Sequence, residues 1–224
     1  MCGRFSLTTE LHKLEERFFL ENAHSMDYQI SFNVAPGQHV LGIVEGNQRN
    51  RAGYLQWGLV PSFAKDKKIG YKMINARAET LHEKVSFRRL LERRRCLIPA
   101  DGFYEWKKIN GEKIPVRFTL TNGEPFAFAG LWDRWQSGED ELISCTIITT
   151  TPNSLVEGVH NRMPVIVHQQ HEQRWLSKQL IDNNELTEML YPFQASKMIA
   201  YEVSDIVNSP KNNHPLCLEP KSNV

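Results

Sequence analysis

No run of about 18 consecutive apolar residues occurs in this 224-residue chain, so a membrane-spanning helix is not expected. The N-terminus lacks a basic stretch followed by an apolar core, which argues against a secretory signal. Cysteine is scarce: four residues, at positions 2, 96, 145 and 217, none of them in a C-x-x-C pair. That spacing argues against a zinc site, and without an export signal it argues for thiols rather than a disulfide frame. The expected compartment is reducing, hence cytoplasmic, with nucleoid association if the source is bacterial. An excess of one charge is also missing. The net charge is +1, so bulk electrostatics does not announce a nucleic-acid binder. Internal repeats and low-complexity linkers are absent, and a single domain is the simpler arrangement. Neither a cofactor nor a metal is expected.

Charge is nevertheless concentrated locally. The segment RRLLERRR (88–95) holds five arginines, and AKDKKIGYK (64–72) holds four lysines. Such runs read as solvated surfaces or as phosphate-binding surfaces, and composition alone leaves both open.

Apolar spacing predicts a helix over 8–20, with Leu11, Leu14 and Phe18 on one face and Thr8 or Thr9 as the cap. A second amphipathic helix is expected over 85–95, and others over 171–180 and 184–191. Strands are expected at 39–46, 51–61, 96–106, 142–150 and 197–204. A hairpin over 114–135 would turn at Asn122-Gly123. Helices and strands do not alternate as βαβ units require. The expected class is therefore α+β: a single domain with a mainly antiparallel, curled or barrel-like sheet and flanking helices. The domain is read as 1–207, and the Pro-, Asn- and Lys-containing segment 208–224 as a loose tail.

The chain begins MCGRF. Removal of Met1 would leave Cys2 with an α-amine and a thiol on adjacent carbons, a 1,2-aminothiol that can close a five-membered ring on an aldehyde. Free cysteine is commonly a small buried hydrophobe, but Gly3 beside it allows close approach of a ligand. Glu105, between Tyr104 and Trp106, and His160, ahead of Arg162 and Pro164, are candidates to move protons for such a group. Asn75 and Arg77 lie two residues apart on a strand and share a face. Together they suit an anion, or else a buried polar network that fixes strand register.

The segments MCGRF, FNVAPG, WGLVPSFAKD, INARAET, RCLIPADGFYEW and HNRMP, in this order over residues 1 to about 167, resemble the SRAP family, named for SOS-response-associated peptidase. The resemblance implies the SRAP fold and a function: recognition of abasic sites in single-stranded DNA and covalent capture through the N-terminal cysteine. Cys2 would form a Schiff base with the ring-opened sugar and then a thiazolidine, which shields the lesion from strand cleavage. By the same resemblance Glu105 is the proton shuttle, His160 assists ring opening and adduct reversal, and Asn75 positions the Cys2 amine. Arg77 and Arg162 would bind phosphate, with Arg4, Asn33, Pro36, Phe63 and Thr149 along the same DNA groove. Phe63 stands where many relatives carry a second tryptophan, so it offers a smaller stacking face.

The implied partner is single-stranded DNA with abasic sites, extending to single-strand/duplex junctions, with no membrane partner and a monomer as the default. The implied enzyme is of suicide type, with Schiff-base lyase or reversal activity at its margin and peptidase activity limited at most to Met1 removal. Two alternatives use the same residues: a thiol (auto)peptidase built on Cys2, Glu105 and His160, and a non-covalent single-strand DNA-binding module.

Overall fold

The structure is a computed structural model that describes residues 2–179 and 181–221. Two sheets face one another. The first, in the order β12-β8-β7-β1-β2, is antiparallel throughout. It comprises β1 (Phe5–Leu7), β2 (Ser31–Val34), β7 (Gly102–Ile109), β8 (Glu112–Leu120) and β12 (Met198–Glu202). The second contains β3 (His39–Val44), β4 (Arg51–Trp57), β6 (Arg95–Ala100), β9 (Phe126–Ser137) and β10 (Asp140–Thr150). These run in the order β10-β4-β3-β6-β9, and β9 pairs again with β10, so the sheet curls into a closed ring. Closure removes the exposed edges that an open sheet must otherwise protect. The short strands β5 (Asn75–Arg77) and β11 (Met163–Pro164) both attach to the end of β10. Among the named strands of the described residues, the β10–β4 and β10–β5 pairs are the parallel ones. The α+β class with a mainly antiparallel, curled sheet is thus what the chain adopts.

The inner faces meet through aromatic rings. Phe5 of the first sheet packs 5.3 Å from Trp57 and 5.6 Å from Phe128 of the second, and Phe103 stacks on Phe118 at 4.9 Å. Burial of each such ring contributes about 2–3 kcal/mol. Helices flank this core: α1 (Leu11–Phe18), α2 (Val85–Arg93), α3 (Ser154–Glu157), α4 (Gln169–Leu176) and α5 (Asn183–Met189). Helix α1 begins later than its pattern predicts because neither threonine caps it. The Thr8 hydroxyl donates to Asp101 at 2.8 Å and the Thr9 amide to the same carboxylate at 3.1 Å.

Two expectations are corrected. Strands β8 and β9, on either side of Asn122-Gly123, belong to different sheets and form no hairpin. Gly123 has a positive φ of 70° but Asn122 does not, so the primed turn that matches strand twist is not formed there. The hairpin lies instead at Asn110-Gly111, where φ is 50° and 88°, joining β7 to β8. The segment read as a loose tail is packed as far as it is described. Cys217 is fully buried, Val203 bridges to Pro220, and the Lys221 amide donates to the Glu202 carbonyl at 2.8 Å.

Candidate functional site

Residues 2–4 lead into β1, which lies beside β7. Phe5 pairs with Phe103, and the Tyr104 amide donates to the Arg4 carbonyl at 3.0 Å. Continuing that register brings Gly3 alongside Glu105. Cys2 is buried, and its thiol is pushed well above its ordinary range by burial and then by the adjacent Glu105 carboxylate. Glu105 is itself 3% exposed, and burial raises its carboxyl to about 7. Its Oε1 accepts no hydrogen bond among the described residues. The Nδ1 of His160 lies 3.9 Å from that oxygen, beyond hydrogen-bond range.

His160 sits just past α3, which Asn153 caps through its side-chain oxygen. The His160 amide donates to the Val156 carbonyl at 2.9 Å, so the ring follows from the helix end. Its Nδ1 lies 3.1 Å from both the amide and the carbonyl of Arg162. Burial lowers the imidazole's pKa, and the Arg162 backbone contact opposes that shift.

Asn75 and Arg77 are carried by β5, in parallel register with Ile147 and Thr149 of β10. The buried Ala76 points the other way, which confirms that the two share a face. Asn75 Oδ1 is buried without a donor. Arg77 is exposed and makes no hydrogen bond or ion pair among the described residues. Arg162 is differently placed. Its Nη1 and Nη2 donate to Glu79 at 2.6 and 2.9 Å, and Nη2 also donates to the Thr149 carbonyl at 2.6 Å. This pairing holds the Glu79 carboxyl below its usual range. Sequence reasoning assigned Glu79 no role. The one available signal was its position two residues after Arg77 within INARAET.

Arg4 stacks over Trp106 at 5.5 Å and donates to Asn33 Oδ1 at 2.8 Å and to the Val207 carbonyl at 2.6 Å. Asn33 is 1% exposed, and its Nδ2 donates to the carbonyls of Val207, Ser209 and Asn212 at 2.8–3.2 Å. Thr149 is buried likewise. Pro36 is half-buried in a turn closed by Gly37, whose amide donates to the Trp57 carbonyl at 2.7 Å. Phe63 is 62% exposed and borders a cavity of about 290 Å³ that it shares with Val85, Arg89 and Arg93 of α2. It is the one proposed groove residue placed on an open aromatic face.

The arginine-rich segment divides. Arg88, Arg89 and Arg93 are exposed, Arg94 pairs with Asp133 at 2.9 Å, and Arg95 is buried. The four cysteines are free and buried. Among the described residues no group of three or more His, Cys, Asp or Glu is placed to hold a metal ion, and no helix is long and apolar enough to cross a membrane. Chemically, the site offers a buried thiol beside a carboxyl that titrates near neutrality, an imidazole whose Nδ1 meets the Arg162 main chain, and exposed guanidinium charge nearby.

Comparison with known proteins identifies the family to which the chain is similar. The model of the SOS response associated peptidase (SRAP) family matches residues 1–210. The abasic site processing protein YoqW of Bacillus subtilis is 50% identical over 222 residues, covering 98% of this chain and 99% of its own. The abasic site processing protein YoaM of the same organism is 47% identical over 227 residues and is covered in full, as is this chain. A crystal structure of a protein from Bacteroides thetaiotaomicron superposes with a TM-score of 0.87 at 28% identity, covering 99% of this chain and all of that one.

Proposed function

Because the chain belongs to the SOS response associated peptidase family, we propose that it processes abasic sites in single-stranded DNA by covalent capture through Cys2. The observation that carries this reading is Glu105. A carboxyl buried beside a thiol, with one oxygen lacking any donor among the described residues, costs roughly 1–3 kcal/mol, a strain that folds retain where chemistry needs it. The α-ammonium that Met1 removal creates on Cys2 supplies the missing donor. Asn75 Oδ1, buried and equally without a donor, provides a second acceptor for it.

The chemistry then follows from the groups present. The amine, having lost a proton to Glu105, adds to the C1′ aldehyde of the ring-opened sugar. Water leaves, and the oxygen takes up a proton as it does so. A carboxyl that titrates at about 7 can both accept and return that proton near neutral pH. The thiol, kept protonated by burial, passes its proton to the same carboxylate as sulfur adds to the carbon of the protonated imine, whose N–H is kept as that nitrogen becomes the ring amine of a thiazolidine. A closed ring resists the elimination that an imine invites, so the strand stays intact. The Arg162 main chain, whose amide and carbonyl both lie 3.1 Å from Nδ1, orients the His160 ring for proton transfer at the sugar ring oxygen during ring opening.

Arg77 is the exposed cation suited to phosphate, and Phe63 is the exposed ring suited to a base. Asn33 and Thr149, both buried, act on the strand through Arg4 and Arg162. Single-strand/duplex junctions, a monomeric state and a cytoplasmic setting, nucleoid-associated if the source is bacterial, complete the proposal. A thiol peptidase would need the same residues, but a fully enclosed, hard-to-ionise Cys2 suits one intramolecular event, the removal of Met1, better than turnover of peptides.

The test is intact-mass spectrometry before and after mixing with a single-stranded oligonucleotide bearing one abasic site. The expected result is loss of Met1 followed by a denaturation-resistant adduct that Cys2→Ala abolishes. Retained Met1, or tight binding with no adduct, would sink the covalent reading and favour a non-covalent module.

A further inference from the structure

We infer that Asp101, braced by Arg117, is a positioning residue for Cys2: it pins the register of β1 against β7, the strand that carries Glu105. This deepens the reading of the site given above and rests on it. Strand β1 is three residues long and meets β7 at Phe5–Phe103 and Ser6–Gly102. Its pairing with β2, on the other side, shifts register between Phe5 and Leu7. So short a ladder specifies register weakly, and a slip of one residue would turn every side chain of the strand to the opposite face. A contact beyond the ladder is needed to fix where Cys2, which precedes β1, stands against Glu105.

Asp101 supplies it from the position just ahead of β7. Its amide donates to the Ser6 carbonyl at 2.9 Å. Its carboxylate gathers the far end of β1. Oδ1 accepts from the Ser6 hydroxyl at 2.6 Å, and Oδ2 accepts from the Thr8 amide, from the Thr8 hydroxyl at 2.8 Å and from the Thr9 amide at 3.1 Å. Arg117 of β8 braces the group. Its Nη2 donates to Asp101 Oδ1 at 3.2 Å and to Ser6 Oγ at 3.1 Å, and its Nη1 donates to the Tyr201 hydroxyl of β12 at 2.7 Å. The guanidinium lies against Gly102, where a β-carbon would stand 2.7 Å from Nε, so a side chain there would push it off the carboxylate. A polar chain thus crosses the sheet from β12 through β8 and β7 to β1, with the Asp101 and Arg117 side chains each 9% exposed. Such a buried pair gains little stability over apolar packing; what it supplies here is a fixed geometry. From Ser6 the chain runs back to Cys2 and from Asp101 it runs forward to Glu105, four residues in each case, along antiparallel neighbours. The Tyr104 amide, donating to the Arg4 carbonyl at 3.0 Å, lies between the pin and the reacting pair.

Substituting Asp101→Asn tests this, because it keeps the shape but turns one acceptor into a donor facing groups that can only donate. Ser6→Ala is the milder second variant, which removes a single bond to the pin, and melting temperature is the check on folding. The cross-linking rate at saturating abasic oligonucleotide should fall about tenfold in Asp101→Asn and less in Ser6→Ala, because a small displacement of a reacting group is costly in rate. The half-saturating concentration should hold, since Arg77 on β5 and Arg162 ahead of β11 lie outside this ladder. A second readout needs no DNA: alkylation of the native chain by iodoacetamide, followed thiol by thiol in mass spectrometry. Cys2, Cys96 and Cys145 are all buried. Asp101→Asn should raise the alkylation of Cys2 alone, whereas a general loosening of the fold would raise all three together. An unchanged saturating rate, a loss confined to the half-saturating concentration, or a joint rise of the three thiols would overturn the inference. A wild-type chain that forms no adduct would count against the proposed function instead. The alkylation then decides for Asp101: selective exposure of Cys2 supports the pin, and its absence removes it.

Discussion

At the scale of single residues, the site is held at a cost in stability, and Glu105 shows where. An unfolded glutamate titrates near 4.3, whereas burial keeps the folded carboxyl protonated up to about 7. Between those two values the folded state binds the extra proton. Stability therefore falls as pH rises through this window, and above it the full penalty, on the order of 3 kcal/mol, is present. Glu105→Gln removes the titration while keeping the shape. The variant should melt higher than the wild type at pH 8, with the gain shrinking through pH 7 to 5 and gone by pH 4. It should also cross-link slowly while binding DNA nearly as well. A melting difference that ignores pH would mean that the carboxyl is not desolvated as described. Cys2, Glu105 and His160 were legible because each stands beside glycine, proline or an aromatic residue within a short motif. Glu79 was not, because its partner is 83 residues away and only the β5–β10 pairing brings the two together.

At the scale of elements, the arginine-rich run illustrates what a linear charge pattern conceals. Arg95, the last of the five, has left the surface. Its guanidinium donates to the carbonyls of Leu91 and Glu92 in the last turn of α2, and to those of Trp175, Ser177 and Gln179 at and beyond the end of α4. One cation thus closes two helix C-termini, where orphan carbonyls and the helix dipoles both favour positive charge. Arg95→Ala should destabilise the fold by about 3 kcal/mol or more, because several buried carbonyls lose a charged donor. Arg88→Ala, on the exposed face of the same segment, should stay within about 0.5 kcal/mol. Equal effects of the two in denaturant unfolding would contradict this division. The same limit explains the misplaced hairpin. Two Asn-Gly pairs flanked by β-rich runs look alike in sequence, but only at 110–111 do both residues take positive φ, and the partner sheet of each strand is not encoded at the turn.

At the scale of the whole molecule, the site joins the two ends of the chain. The first residues supply Cys2 and Arg4, and residues 205–217 return across β2 and β7 to hold Arg4. Asn33 is the latch, with three donations to strap carbonyls and one bond accepted from Arg4, and Trp106 Nε1 adds a bond to Asn208 Oδ1 at 2.7 Å. The strap's polar composition made it read as loose. Its packing runs through backbone carbonyls, which composition does not show, and through the few apolar residues Val207 and Cys217. Individual strands were readable because their β-branched and aromatic content is local. The pairing of β10 with β4 and the return of the strap to β2 are long-range contacts that no window of sequence contains. Asn33→Ala should leave those carbonyls without donors and cost about 2–4 kcal/mol, with amide exchange rising selectively over 205–217. Arg4 would lose both of its anchors, Asn33 and the Val207 carbonyl, while Cys2, Glu105 and His160 keep theirs. The cross-linking rate should therefore fall at low oligonucleotide concentration and recover at saturation. A loss that persists at saturation would mean that the strap orders the reacting groups themselves, and the latch would then belong to the chemistry rather than to DNA capture.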